Sequence, residues 1–213
     1  MIDHRVYLVT DEPSRYRGNW LDNVRAAVEG GVTCVQYRDT ESDAKVQYER
    51  ILALRDAIGK TPLIVNNDAE LARSVKADGV HVGQGDLPPA HVRGIVGAGC
   101  EIGLSITAAS QVPRLVSLVR SGFVDAIGIG PVFDARKTKS DAAAAMGPDG
   151  LREIVAAVPL LPNCAIGGIT LQNAAEVLAA GAMGLAVVSA FSRSEDPHGV
   201  ARSFRMLFDR RGE

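Results

Sequence analysis

The 213-residue chain is 46% hydrophobic, 23% charged and 5% aromatic, enough apolar material for one sizeable core of the size single α/β barrels commonly have. Its 23 basic and 25 acidic residues leave a formal net charge of −2, which excludes a global field for nucleic acid or an anionic membrane. A bound anion would have to be held by a local cluster. The opening MIDHRVYLVTDEPSRY has no long apolar run behind a basic patch, and no stretch reaches about 20 uninterrupted apolar residues, so neither a secretory signal nor a membrane span is expected. Cys34, Cys100 and Cys164 lack CxxC or Cys/His spacing and lie within or just before apolar runs, so each reads as a small buried core residue. The expectation is a single cytoplasmic domain over 1–213, free of disulfides.

In chain order, short β-branched or apolar runs alternate with stretches of helical spacing. The predicted strands are Val6–Thr10, Thr33–Arg38, Leu63–Asn66, Gly79–Val82, Glu101–Ser105, Ala126–Gly130, Asn163–Ile166 and Gly184–Val188. The predicted helices are Asp22–Glu29, Asp43–Ile58, Ala69–Val75, Pro89–Val96, Ala109–Ser121, Gly150–Val158, Leu171–Ala180 and Pro197–Arg210. In the second, Val46, Ile51, Leu52 and Leu54 form the expected inner stripe. Gly30, Gly59, Gly97, Gly122 and Gly181 are placed to close helices with a left-handed residue. Eight short, non-alternating strands imply a parallel sheet buried on both faces, and eight βα units fit a compact (β/α)8 TIM barrel. An open doubly wound sheet would place a glycine-rich loop after the first strand, where this chain has DEPSRY. The longest break in periodicity, Pro131–Gly147, reads as a functional lid.

The active site of such a barrel lies at the carboxyl ends of its strands. Alternation puts Gln36 and Arg38 on the same side of the second strand, inside the mouth, with pairing of Arg38 to Asp39 as the structural alternative. Asn66, Asn67 and Asp68 end the third strand, and His81 through Asp86 (HVGQGD) follow in the fourth. Oxygen donors at adjacent strand ends suit a magnesium ion bridging to substrate phosphates, although Asp68 could simply cap the next helix. His81 has no second ligand at metal spacing and reads as a hydrogen-bonded histidine. Ser105 lacks a nucleophile elbow, which leaves a ligand hydrogen bond or a helix entry. Ile166-Gly167-Gly168-Ile169 and Val187-Val188-Ser189-Ala190 follow the last two strands, where barrels commonly form a phosphate cradle. Arg136, Lys137 and Lys139 surround Thr138 in the long loop. A phosphate cradle, a second cationic site and oxygen donors for a metal suit a reaction between two phosphorylated substrates, one losing pyrophosphate.

These segments resemble thiamine-phosphate synthase and its relatives, including the thiazole tautomerase branch, from Val6 to about Arg205. The likeness rests on VQYR, LIVNND, ADGVHVGQGDLP, GLS, IGIGPVF with TK, AIGGIT and GAMGLAVVSA. The resemblance implies a single-domain (β/α)8 transferase joining a hydroxymethylpyrimidine diphosphate to a thiazole phosphate with release of pyrophosphate. It implies Gln36 and Ser105 at the pyrimidine, and Arg38, Asn66 and Lys139 at its diphosphate. Thr138, Gly168, Val188 and Ser189 would hold the thiazole phosphate, with Arg136 as a further cation. Mg²⁺ would be bound by Asp86, with Asn67 beside it, and Arg38, Lys139 and Ser105 would be the catalytic set. The implied partners are small-molecule substrates, with no nucleic acid and no membrane; a homo-oligomer is left open. Four positions depart from the family pattern: Thr40 for a lysine, Asn67 for an aspartate, Thr107 for a histidine, and a 134–138 loop that keeps only Thr138 of two threonines. The tautomerase's catalytic histidine falls on Thr107. A phosphate-binding paralog without catalysis is a second alternative, and an unrelated phosphosugar isomerase barrel, which would keep the cradle but finds no obvious acid/base pair here, is a third.

Overall fold

A computed structural model describes residues 1–135 and 143–209. Eight parallel strands close into a barrel in sequence order. They are β1 (Val6–Val9), β2 (Cys34–Tyr37), β3 (Leu63–Asn66), β4 (Gly79–Val82), β5 (Glu101–Ile106), β6 (Ala126–Ile129), β7 (Asn163–Ile166) and β8 (Gly184–Val187). The ring is completed by β1 against β8, with Leu8 opposite Val187. Around it lie α1 (Trp20–Glu29), α2 (Ala44–Ile58), α3 (Ala69–Ser74), α4 (Pro89–Val96), α5 (Val112–Arg120), α6 (Gly147–Ala157), α7 (Ala174–Ala179), α8 (Ser189–Ser192) and α9 (Pro197–Asp209). No helix among the described residues is long and apolar enough to cross a membrane.

Alternation along each strand separates two apolar layers. Val6, Leu8, Val35, Tyr37, Leu63 and Val65 join the large layer between sheet and helices. Tyr7, Val9, Cys34, Ile64, Cys164 and Ala186 fill the lumen. All three cysteines are buried free thiols, as expected. The base of the lumen is closed by His4, whose Nε2 lies 2.7 Å from Glu101 Oε1, while the Ile2 amide donates to Glu101 Oε2.

The predicted strands agree with the observed ones to within a residue at each end. Several helix details differ. Leu52 is 45% exposed, and the buried stripe of α2 is Ile51, Leu54, Ala57 and Ile58. Gly30 ends α1 in the right-handed region, and the left-handed residue is Gly31, at φ +117°. Gly30 is needed for another reason: a Cβ there would stand 2.3 Å from the His198 carbonyl oxygen. The fifth helix is preceded by a 3-10 turn at Ala109–Gln111. The seventh starts three residues later than expected because Asn173 accepts from the Thr170 amide and donates to the Gly168 carbonyl, holding GGIT as a turn. The four-residue α8 is too short to leave a periodic signal.

Candidate active site

A cavity of about 280 Å³ opens at the carboxyl ends of the strands. Gln36, Arg38, Asn66 and Ser105 line it from β2, β3 and β5, and Gly168, Val188 and Ser189 from the ends of β7 and β8. Seven sequence-predicted residues therefore share one cavity. Gln36 is buried, and its Nε2 donates to the Tyr7 hydroxyl at 2.7 Å, which fixes the carboxamide. The Arg38 main chain is clamped to Thr10, its N–H donating to Thr10 Oγ1 at 2.9 Å and its carbonyl accepting from the same hydroxyl. Its guanidinium makes no ion pair with a described carboxylate. The alternative pairing with Asp39 does not occur, because Asp39 accepts from the Tyr37 hydroxyl at 2.8 Å, from Arg50 at 2.7 Å and from the amides of Glu41 and Ser42. Burial works against the charge of Asp39, but these donors outweigh it and hold its carboxyl well below the usual range.

Ser105 lies inside β5, so the helix-entry alternative falls. Its Oγ is 3.0 Å from His81 Nε2, and its carbonyl accepts from Gln84 Nε2 at 2.6 Å. His81 is thus the hydrogen-bonded histidine expected. Burial, reinforced by His4, pushes its pKa down to about 4, so the ring is neutral near pH 7.

Neither Asn67 nor Asp86 lines this cavity: Asn67 follows β3 and faces a separate depression with Asp68 and Leu87, and Asp86 lies in the loop after β4, whose Gly83 and Gln84 do line the cavity. Asn67 adopts a left-handed conformation, at φ +63°, that asparagine tolerates, and its N–H donates to the His81 carbonyl at 2.8 Å. Asp68 caps α3 by accepting from the Leu71 amide at 2.8 Å, the capping role anticipated for it. Asp86 Oδ2 accepts from the Gly83 amide at 2.6 Å, leaving one carboxylate oxygen to offer. Among the described residues no group of three or more histidines, cysteines or carboxylates could hold a metal. One carboxylate oxygen and one carboxamide are short of a preformed cage. They do fit magnesium arriving with phosphate oxygens and water in its remaining positions.

Opposite, the stem of the long loop is strapped to the end of β7 and the glycine that follows it: the Val132 amide donates to the Ile166 carbonyl at 2.9 Å and the Phe133 amide to the Gly167 carbonyl at 3.0 Å. Gly167 and Gly168 both have positive φ, and a Cβ on Gly168 would stand 2.7 Å from Phe133 Cβ. Glycine is demanded there by the loop stem as well as by any phosphate. Among the described residues no acceptor engages the amides of Gly168, Val188 and Ser189. Arg136, Lys137, Thr138 and Lys139 lie outside the described residues, between Ala135 and Ala143, which both line the cavity.

Sequence reasoning missed Tyr7 and Gln84 as supports, and it missed Glu12. This carboxylate is buried at the end of β1 and accepts from the Thr40 amide and hydroxyl at 3.2 and 3.3 Å. Inward alternation on β1 could have found Tyr7; the Glu12–Thr40 contact joins two loops and had no local signal. Thr107 is tied to Gln111 by two hydrogen bonds.

A family profile described as thiamine monophosphate synthase matches residues 6–191. The chain is 43% identical to a thiamine-phosphate synthase of Chloroflexus aurantiacus over 97% of this chain and 94% of that one. It is 40% identical to one of Albidiferax ferrireducens, covering 96% and 92%. A solved thiamine phosphate pyrophosphorylase from Pyrococcus furiosus superposes with a TM-score of 0.84 at 30% identity, covering 98% of this chain and 96% of that one.

Proposed function

The chain belongs to the thiamine monophosphate synthase family, and from that premise we propose that its cavity joins 4-amino-2-methyl-5-hydroxymethylpyrimidine diphosphate to a thiazole phosphate, giving thiamine phosphate and pyrophosphate. The observation that carries this reading is a single cavity with two unlike ends. Gln36, Arg38, Asn66 and Ser105 supply carboxamides, a hydroxyl and a cation on one side; Gly168, Val188 and Ser189 supply unengaged amides on the other.

In the reaction the bond from the pyrimidine methylene to the diphosphate oxygen breaks, and the leaving group takes the electron pair. The thiazole nitrogen then donates its lone pair to the methylene carbon. The protein's contribution is alignment and charge stabilisation. Gln36 and Ser105 hold the pyrimidine. Arg38, with Asn66 and Lys139, receives the charge that grows on the diphosphate, and Arg136 adds a further cation. Thr138, Gly168, Val188 and Ser189 hold the thiazole phosphate. Asp86 and Asn67 would hold magnesium, which when bound neutralises the leaving diphosphate. Arg38, Lys139 and Ser105 form the catalytic set. We assign the enzyme to the cytoplasm, where its three thiols stay reduced. The tautomerase alternative is disfavoured because Thr107 supplies no imidazole and is held by Gln111.

The test is incubation with both phosphorylated precursors and Mg²⁺, following thiamine phosphate by fluorescence after oxidation. Product formation dependent on all three supports the reading. Binding of both precursors with no product would favour the non-catalytic paralog.

A further inference from the structure

Beneath the residues assigned to the substrates lies a floor with a geometry of its own. His81 is the one imidazole among the described residues that lines the cavity. Its ring lies across the lumen over two glycines of neighbouring strands. A Cβ on Gly103 of β5 would stand 2.4 Å from His81 Nδ1, and one on Gly128 of β6 would stand 3.0 Å from Cε1. Glycine in a strand interior weakens the strand and marks a place where another group approaches closely. Here that group is the imidazole, and its slot exists only because two side chains are missing.

From this slot Nε2 reaches Ser105 Oγ at 3.0 Å. A serine hydroxyl on its own rotates to whichever partner is offered. We propose that His81 is a positioning residue for the pyrimidine end of the site, holding the Ser105 hydroxyl in one orientation so that it meets the substrate's amino and ring-nitrogen edge with a fixed hydrogen-bonding sense. The inference rests on the functional reading above and adds a residue that does not itself touch substrate. Where Nε2 accepts the hydroxyl proton, Ser105 can only accept from the ligand; where Nε2 donates, the hydroxyl proton is free to be given to the ligand.

A double-mutant cycle tests this. The variants are His81→Leu, Ser105→Ala and the pair, with kcat/KM measured for the pyrimidine diphosphate and thiazole phosphate affinity measured by calorimetry. His81→Leu should lower kcat/KM about tenfold when Ser105 is present and less than about twofold in the Ser105→Ala background, because the loss passes through that hydroxyl. His81→Gln, which can return a polar atom near Nε2, should recover part of the loss. Thiazole phosphate affinity should not move. Equal losses in both backgrounds, or a parallel loss of thiazole phosphate affinity, would overturn the proposal. If His81→Leu does not fold, Gly103→Ala, which displaces the ring without altering either partner, enters the same cycle. If the wild type makes no thiamine phosphate, the functional reading fails separately, and the cycle read on calorimetric binding of the pyrimidine diphosphate still decides the role of His81.

Discussion

Glu12 is 3% exposed, yet the hydrogen bonds of its carboxylate run to Thr40, at the position where the resemblance implies a lysine. A lysine restored at Thr40 would meet that carboxylate before it met a diphosphate. Thr40→Lys alone is therefore expected to change kcat/KM less than about twofold, whereas Thr40→Lys with Glu12→Gln frees the ammonium and should gain about tenfold, the low end for a charged hydrogen bond. A full gain from the single variant would show that Glu12 does not compete. Two other residues make stability depend on pH in separate windows. His81 has its pKa lowered from 6.5 to about 4, so between those values the unfolded chain binds the proton more readily than the folded one. Its contribution is complete above pH 6.5 and is lost as pH falls toward 4. Asp39 is depressed below its usual 3.8, so its contribution is complete above that value and is lost only in stronger acid. Urea unfolding against pH should show His81→Gln flattening the first decline and Asp39→Asn flattening only the second. The same slope in wild type and His81→Gln between pH 6.5 and 4 would contradict the buried neutral imidazole.

Elements were legible where one residue pattern decides them. β3, β4 and β7 match the sequence reading to the residue because their apolar runs are bounded by the turn-forming residues Pro62 and Asn67, Asp78 and Gly83, and Pro162 and Gly167. The reading failed where a side chain from elsewhere decides, as with Asn173 holding the start of α7 or His198 excluding a side chain at Gly30. Gly168 shows how far a local pattern reaches. The sequence marks it as a glycine of a loop at the barrel mouth, where it does lie, but not as the seat of Phe133 and of the Asp134 carbonyl, which a Cβ would approach to 2.7 and 2.9 Å. Gly97 has a similar φ of +76° with nothing within 4 Å, so it isolates backbone strain. Gly97→Ala should cost about 1 kcal/mol, whereas Gly168→Ala should cost about 3 kcal/mol and also reduce turnover, because it pushes the loop stem off β7. Thermal melts of the two variants compare them directly. Equal losses with intact turnover would mean that the stem is not anchored through Gly168.

At the scale of the molecule, the closed barrel was legible because eight strands buried on both faces permit few other arrangements, and its mouth was legible because the ends of the strands carry the polar residues. The floor was not: Tyr7 beneath Gln36 and His81 beneath Ser105 depend on which strands are neighbours and on their register, which local patterns do not encode. The same limit applies to the metal. Oxygen donors on β3 and β4 could be named, but only the fold reveals that Asp86 spends one oxygen on Gly83 and that Asp68 is committed to α3. A site so short of ligands should bind magnesium and diphosphate as a unit. Magnesium alone should leave the melting temperature unchanged, and the pyrimidine diphosphate alone should raise it slightly. Together, at about a hundredfold over their joint Kd, they should stabilise the fold by about 2.7 kcal/mol, or about 5 to 10 °C for a chain of this size. Asn67→Asp adds the second carboxylate and should make magnesium alone visible in the melt. A wild-type response to magnesium alone would reveal a preformed cage, and additive responses to the two ligands would show that the metal does not enter on the diphosphate.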